Sequence, residues 1–280
     1  KTPEGREITF DFKEIREYWA NFYREHNLPE LAAALPETIN LTLEQITRIQ
    51  KLAEQGYNHF ILLPSPELQD QYLAQIKQET LDTPLEGLAE SQQYTETHLS
   101  DTVQPNFPDK IKTLNREENT PYLVFLKDLP EAEEETRNAS AQELRIILES
   151  PSPDKARKKL KELEEELKKT NPRAEVKEFS DEFLERMTGK DLKGQTLPEY
   201  LIFQRDYTKR HKEEDRPHPE HQYYTWLLDS ELSEDASEPG RVLGADWLPD
   251  DRRVRVDSYD SSHQYSYRGA RSSAILSLTF

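Results

Sequence analysis

GRVLGADWLPDDRRVRVDSYDSSHQYSYRGARSSAILSLTF, residues 240–280, carries the pattern on which the reading of the fold turns. Val242 and Leu243 lead toward Trp247, Pro249-Asp250-Asp251 supplies turn residues, and Val254 and Val256 alternate with Arg253, Arg255 and Asp257. A period of two places the valines on one face of a strand and the charged residues on the other, so this stretch reads as a β-hairpin with one buried face. On the same parity Asp257, Tyr259, Ser261, His263, Tyr265 and Tyr267 share the opposite side while the chain stays extended. A loop has to interrupt the strand, so the parity is secure only to about Asp260. Ala274, Ile275, Leu276, Leu278 and Phe280 then form a terminal strand that can close the sheet.

Composition changes abruptly at Gly240. From there to Phe280 the chain has no Lys and no Glu, although both crowd the residues before it, and its charges are six Arg against five Asp. Tyr, Ser, Asp and Arg concentrate instead. Tyr offers a large, rigid, amphipathic contact area and Ser adaptable hydrogen bonding, so the stretch has the chemistry of a contact surface.

Working upstream, Thr196-Leu197-Pro198-Glu199 starts a helix with Pro in its first turn, and Leu201, Ile202 or Phe203, and Tyr207 give it an apolar side. Tyr223, Tyr224, Trp226, Leu227 and Leu228 suggest a further strand, with Ser230 to Pro239 as an acidic surface loop. Trp226 and Trp247 are read as core anchors of a small sheet.

Earlier in the chain, Phe12, Ile15, Trp19, Phe22 and Tyr23 recur at helical steps. Thr42 with Gln45 fits a capping box, Leu43, Ile46, Ile49 and Leu52 continue the helix, and Gly56 sits where a C-terminal cap belongs. Tyr57 to Leu63 and Tyr122 to Leu126 read as buried strands, Ala141 to Leu148 and Pro153 to Lys169 as helices, and Val176 to Phe179 as a further strand. Between them, residues 80–120 lose periodicity and gather Pro84, Pro105 and Pro108, which predicts an irregular, linker-like stretch. The fold class is therefore α+β, in two units: a mixed helical/α+β domain over 1–180 and a β-rich domain over 181–280.

Composition also restricts function. The 280 residues carry 37 Lys and Arg against 55 Asp and Glu, a net charge of −18, which repels phosphate backbones and anionic lipid. The one basic run, Lys155 to Lys161, is interleaved with Glu162, Glu164, Glu165 and Glu166 and reads as a solvated helix with i,i+4 ion pairs, so no nucleic-acid partner is expected. No cysteine is present, which removes disulfides, thiolate metal sites and cysteine nucleophiles. No apolar run approaches the ~20 residues of a membrane span. The opening Lys1 in place of Met points to a trimmed start, and no compartment is assigned.

The order of these residues resembles a family. A Leu-Pro-Glu-Tyr helix, the Trp226 segment, Gly240-Arg241-Val242-Leu243, Trp247 with Pro249-Asp250, Arg253-Val254-Arg255-Val256, and Gly269-Ala270-Arg271-Ser272-Ser273 before an apolar end are similar to the C-type-lectin-fold variable proteins of diversity-generating retroelements, over roughly the last hundred residues. The resemblance implies a C-type-lectin-like domain over 181–280. It also implies a C-terminal segment in which a template-copying reverse transcriptase randomises adenines, so that the altered side chains form an exposed ligand-binding face. It makes Asp257, Tyr259, Ser261, His263, Tyr265 and Tyr267 candidate variable positions, with Arg255 of the same parity added. Asp, Tyr, Ser and His are all reachable from an asparagine codon by changing its adenines; Gln264 is not. Gly269, Ala270 and Arg271 become scaffold, Gly269 giving freedom at a bend. Sugar-binding relatives with a calcium loop of Glu-Pro-Asn or Gln-Pro-Asp, and formylglycine-generating relatives that rely on cysteines, are not matched.

Plainer explanations compete. His218-Pro219-Glu220-His221 with His211 has the side chains of a zinc site, but Pro217 and Pro219 break any helix that would hold them, and incidental loop histidines explain them equally. Asp246, Asp250, Asp251 and Asp260 suit a cation or simply their own turns. The tyrosine set suits a contact face or an ordinary strand edge. No phosphate loop, Gly-x-Ser-x-Gly elbow or His-Glu-x-x-His helix occurs. The expectation is a non-catalytic binder of a protein or cell-surface ligand, with no cofactor. The alternatives are an enzyme with its site in the first unit and an assembly protein that oligomerises through the tyrosines.

Overall fold

The computed structural model describes residues 11–69, 73, 96–100, 103, 111–117, 119–214, 218–219, 224–232 and 241–278. Its class is α+β. Helix α1, Phe12–Glu25, is capped by Asp11, whose carboxylate accepts from the Lys13 and Glu14 amides, and it buries Trp19, Ala20, Phe22 and Tyr23. Two of these side chains fix it to strand β1, His59–Leu63: Trp19 Nε1 donates to the Phe60 carbonyl at 3.1 Å and the Tyr23 hydroxyl to the Leu62 carbonyl at 2.9 Å. A short α2, Pro29–Ala33, follows α1, and α3, Leu43–Glu54, opens on the expected Thr42–Gln45 capping box. Gly56 sits beyond its end with φ +89, the left-handed conformation that glycine adopts without a steric cost.

Four strands make the first sheet, in the order β1, β4 (Tyr122–Leu126), β10 (Ser272–Ser277) and β5 (Leu192–Gly194), all antiparallel. Strand β4 is buried at every position, as its unbroken apolar run requires when both neighbours and both faces are covered. Each such side chain contributes about 2 kcal/mol by leaving water. The second sheet runs β2 (Glu96–Leu99), β8 (Arg253–Tyr259), β7 (Arg241–Leu248), β6 (Tyr224–Leu232) and β3 (Ile111–Thr113), with β9 (Arg268–Ala270) pairing in parallel with β6.

Helices α4 (Ala141–Glu149), α5 (Pro153–Thr170) and α6 (Asp181–Met187) precede β5, and α7 (Leu197–Arg210) follows it. Lys158–Glu162 at 3.6 Å and Lys168–Glu164 pair one turn apart along α5, which buries only Ala156, Leu160 and Leu163. Helix α7 was expected to have one apolar side; it is buried all round from Leu197 to Thr208 because it touches both β1 and β6.

Four expectations change. The linker-like stretch contains β2 and β3, which pair along β8 and β6, and its Val103 is fully buried. Its prolines concealed two edge strands. Val176 to Phe179 is irregular, and Ser230 to Leu232 continues β6 where a loop was expected. The closing strand β10 joins β4 and β5, not the hairpin β7–β8. One apolar cluster includes Trp19, Val124, Leu201, Val254 and Leu276, from both sides of residue 180.

The two sheets are joined at a bulge. Leu227 pairs with Leu243 and Glu231 with Val242, so Leu228, Asp229 and Ser230 swell out of β6. Gly194 lies against this swelling; a Cβ there would stand 2.3 Å from Leu228 Cβ, so only glycine fits. Arg116 closes the joint. Its guanidinium meets both Glu199 carboxylate oxygens at 2.7 and 2.9 Å, Asp229 Oδ2 at 2.8 Å and the Gly194 carbonyl at 2.9 Å.

Candidate functional site

Strand β8 alternates in burial through its whole length, with Val254, Val256 and Ser258 inside and Arg255, Asp257 and Tyr259 half-exposed, as the period of two predicts. Pro249 to Arg252 forms the turn before it, with Arg252 at φ 55. The strand ends at Tyr259. Ser261-Ser262 and Ser266-Tyr267 are turns joined by an irregular stretch, so parity does not hold across the candidate set. Exposure holds better: His263 is exposed, Tyr267 is 43% exposed, and Ser261 and Tyr265 are intermediate.

The backbone of this loop is anchored by the first half of the chain. The Gln142 amide donates to the Ser261 carbonyl at 2.9 Å, the Asn138 amide to the Arg268 carbonyl at 3.0 Å, and the Glu133 amide to the Ala270 carbonyl at 3.2 Å. The Gln264 side chain adds bonds to Glu143 Oε1 at 2.9 Å and the Glu175 carbonyl at 3.0 Å. Gly269 is not at a bend. It lies in β9, where a Cβ would meet Thr136 Oγ1 at 2.8 Å and Ala132 Cβ at 3.0 Å, so its role is close approach to the 3-10 turn Glu134–Thr136.

Five of the seven candidate positions form two groups. Arg255 and Asp257 are engaged within the fold: Arg255 grips Asp246 with two bonds of 3.2 and 3.1 Å and lies over the Tyr224 ring at 4.6 Å, while Asp257 accepts from Ser100 Oγ at 2.6 Å. Tyr259, Tyr265 and Tyr267 converge with two residues of β6, Tyr224 and Trp226. Centroid separations are 5.7 Å for Tyr259–Tyr265, 5.9 Å for Tyr265–Tyr267, 5.3 Å for Tyr224–Tyr267 and 5.8 Å for Trp226–Tyr259. Angled ring pairs at these distances are favourable beyond simple burial.

At their centre is Arg268. Its guanidinium carbon lies 3.2 Å from the Tyr259 ring centroid, 3.8 Å from Tyr265, 4.9 Å from Trp226, 5.1 Å from Tyr224 and 5.3 Å from Tyr267. Burial lowers the Arg268 pKa against the pull of the tyrosine hydroxyls, and burial raises that of Tyr259 against the nearby guanidinium. Sequence reasoning missed Arg268, and it assigned Trp226 to the core without the ring face it gives this cluster. The available signal was the i,i+2 spacing of Tyr224 and Trp226, which puts both on one face of β6. Both tryptophans read as anchors are buried, Trp226 at 0% and Trp247 at 3% exposure.

Other candidate groups are occupied otherwise. His218 stacks on Trp247 with centroids 3.6 Å apart, and its Nδ1 is 3.0 Å from both Gln204 Nε2 and Thr208 Oγ1; His221 lies outside the described residues. His211 stacks on Tyr207 and contacts Glu214 through Nδ1 at 2.7 Å. Asp246 binds Arg255, Asp251 binds Arg253 at 3.0 Å, and Asp260 accepts from the Ser262 amide and hydroxyl. Among the described residues no group of three metal-ligating side chains converges.

One ionisable cluster lies away from the tyrosines. Asp206, fully buried on α7, contacts His59 Nε2 at 3.2 Å and Arg210 Nε at 2.7 Å and accepts from the Tyr18 hydroxyl, beside an open cleft of about 290 Å³. Burial works to raise this carboxyl; the contacts with His59, Arg210 and Tyr18 outweigh it and hold the value down to about 2. Among the described residues, no helix is long and apolar enough to cross a membrane. Compared with models of known families, with curated proteins and with solved structures, the chain matches none.

Proposed function

We propose that the chain is a non-catalytic recognition protein that presents a diversified face on a C-type-lectin-like scaffold to a protein or cell-surface ligand. The observation that carries this reading is the cluster of half-exposed tyrosines on a loop whose main chain is fixed at Ser261, Arg268 and Ala270 by bonds from residues outside the loop. Side chains at Tyr259, Ser261, His263, Tyr265 and Tyr267 can change without removing any of those main-chain bonds. Exposed aromatic area of this kind is costly to leave uncovered and marks contact surfaces.

Two further features support the lectin-like part. Strands β5 and β10 pair antiparallel, which brings the two ends of residues 192–277 together, and the β6–β7–β8 meander stands in a second sheet between them. Arg255 and Asp257 enter the face as restrained positions, because each already serves a partner within the fold.

The test is to sequence the 3′ end of sibling genes together with the flanking DNA. The expected result is substitution concentrated at 259, 261, 263, 265 and 267, rarer change at 255 and 257, and a near-identical repeat differing at adenines beside a reverse-transcriptase gene. Substitutions scattered evenly over 240–280, with no such repeat, would overturn the reading.

A further inference from the structure

We propose that the tyrosine face recognises a carboxylate of a peptide ligand and that Arg268 is the group that receives it; this rests on the reading of that face as a contact surface. Arg268 is 1% exposed, yet among the described residues no carboxylate pairs with it, and its Nε and Nη1 have no hydrogen-bond partner. Arg116, whose side chain is equally buried, has the carboxylates of Glu199 and Asp229. A buried guanidinium with unused donors is expensive, and ring faces compensate only its charge, not its N–H groups. The missing acceptor is the feature a ligand can supply.

Access and charge define that ligand. Tyr265 and Tyr267, which cover the guanidinium, lie in the loop before β9; the Tyr267 carbonyl is held by the Tyr224 amide, but its side chain is already 43% exposed, so a change of its rotamer opens the way. A single positive charge calls for a single negative one. The surroundings favour a monoanion over sulfate or phosphate, since Asp246, Asp257 and Asp260 lie in the adjoining strands and turn. The guanidinium fork suits a planar carboxylate, and the five rings suit an apolar or aromatic group carried beside it. Tyrosine and serine display of this kind is the chemistry of protein contact, which selects a peptide over a sugar as the carrier.

The experiment is an NMR titration of the ¹⁵N-labelled protein, following the Arg268 Nε–H signal and the amides of 259–268. N-acetylphenylalanine is the probe, its neutral amide the isosteric control, and glucuronate the sugar carboxylate. The proposal expects the acid to shift the Arg268 signal, the amide and glucuronate to bind about tenfold more weakly or worse, and Arg268→Lys to lose about the same factor. The wild-type comparison stands even if that variant fails to fold. Equal binding of acid and amide with the Arg268 signal unmoved would overturn carboxylate recognition while leaving the contact face in place. Preference for glucuronate would overturn the peptide carrier. If no probe moves any signal in 259–268, the inference and the contact-face reading both fall.

Discussion

Replacing Arg116 by Met should be among the most destabilising single changes in this protein. Its side chain is 1% exposed and stands between the carboxylates of Glu199 and Asp229, 0% and 5% exposed. Removing the cation leaves two acids buried together without a counter-charge, for which the cost is about 3–5 kcal/mol. In a chain of this size that is a fall in Tm on the order of 10 °C. Burial already raises Asp229 against the opposing pull of Arg116 and Asn115. Between the ordinary value of 3.8 and its raised one, the folded protein keeps this proton and the unfolded chain has released it, so stability falls as pH rises through that window. Without Arg116 the Asp229 carboxyl moves further up, so the loss should be greatest at neutral pH and shrink on acidification. Urea unfolding of wild type and Arg116→Met across pH 4–8 measures this. Adding Glu199→Gln and Asp229→Asn to the variant should recover most of the loss, since the uncompensated charge is then gone. A loss below about 1 kcal/mol, or one that does not change with pH, would refute the account of this joint.

Asp206, with its pKa lowered to about 2 from 3.8, contributes stability that is present above the unfolded value and is lost as pH falls from about 4 to 2. Asp206→Asn should therefore cost about 2 kcal/mol at neutral pH and only a small fraction of that at pH 2; denaturant melts that differ by the same amount at both would contradict this. Gly269→Ala drives a methyl against Thr136 and Ala132 and should cost about 1–3 kcal/mol, read as a lowered Tm. Tyr267→Ser, at an exposed position, should stay within about 0.5 kcal/mol of wild type in the same melt, and a larger loss would place that ring in the structural core. Glu143→Ala removes the acceptor of Ser140, Lys177 and Gln264; hydrogen exchange at 261–267 should quicken while the amides of β4 keep their protection.

Local pattern was legible where one element decides its own form. The caps at Thr42 and Thr196, the alternation of β8 and the buried run of β4 are all written in a few adjacent residues. What was not legible depends on partners distant in sequence. Strand β10 has the same apolar run whether it pairs with β7 or with β4, and only the assembled core selects β4. Strands β2 and β3 are short edge elements without strong β propensity, held by register to β8 and β6. At the site, the tyrosines were visible from composition. Arg268 was not, because a lone arginine after an aromatic run carries no pattern; its meaning comes from five rings contributed by β6, β8 and the loop.

On the proposed function, a separation of anchoring from display connects the two halves of the chain. A loop held by its own side chains would lose its shape whenever they changed, so a face that varies needs its backbone fixed by groups outside the varying set. Residues 133–142 meet that need: they bind the loop and β9 through Ser261, Arg268 and Ala270 main-chain atoms, which every substitution leaves in place. Gln264 is the exception, since its side chain does the anchoring, on Glu143 and on the Glu175 carbonyl. Gln264 is also the residue that adenine changes in an asparagine codon do not produce. The codon argument and the hydrogen bonds are independent, and both set this position apart from its neighbours. On the proposed function the first half of the chain then has a physical role: together with the Tyr224 amide, which donates to the Tyr267 carbonyl, residues 133–142 hold the backbone of the loop and β9 in place.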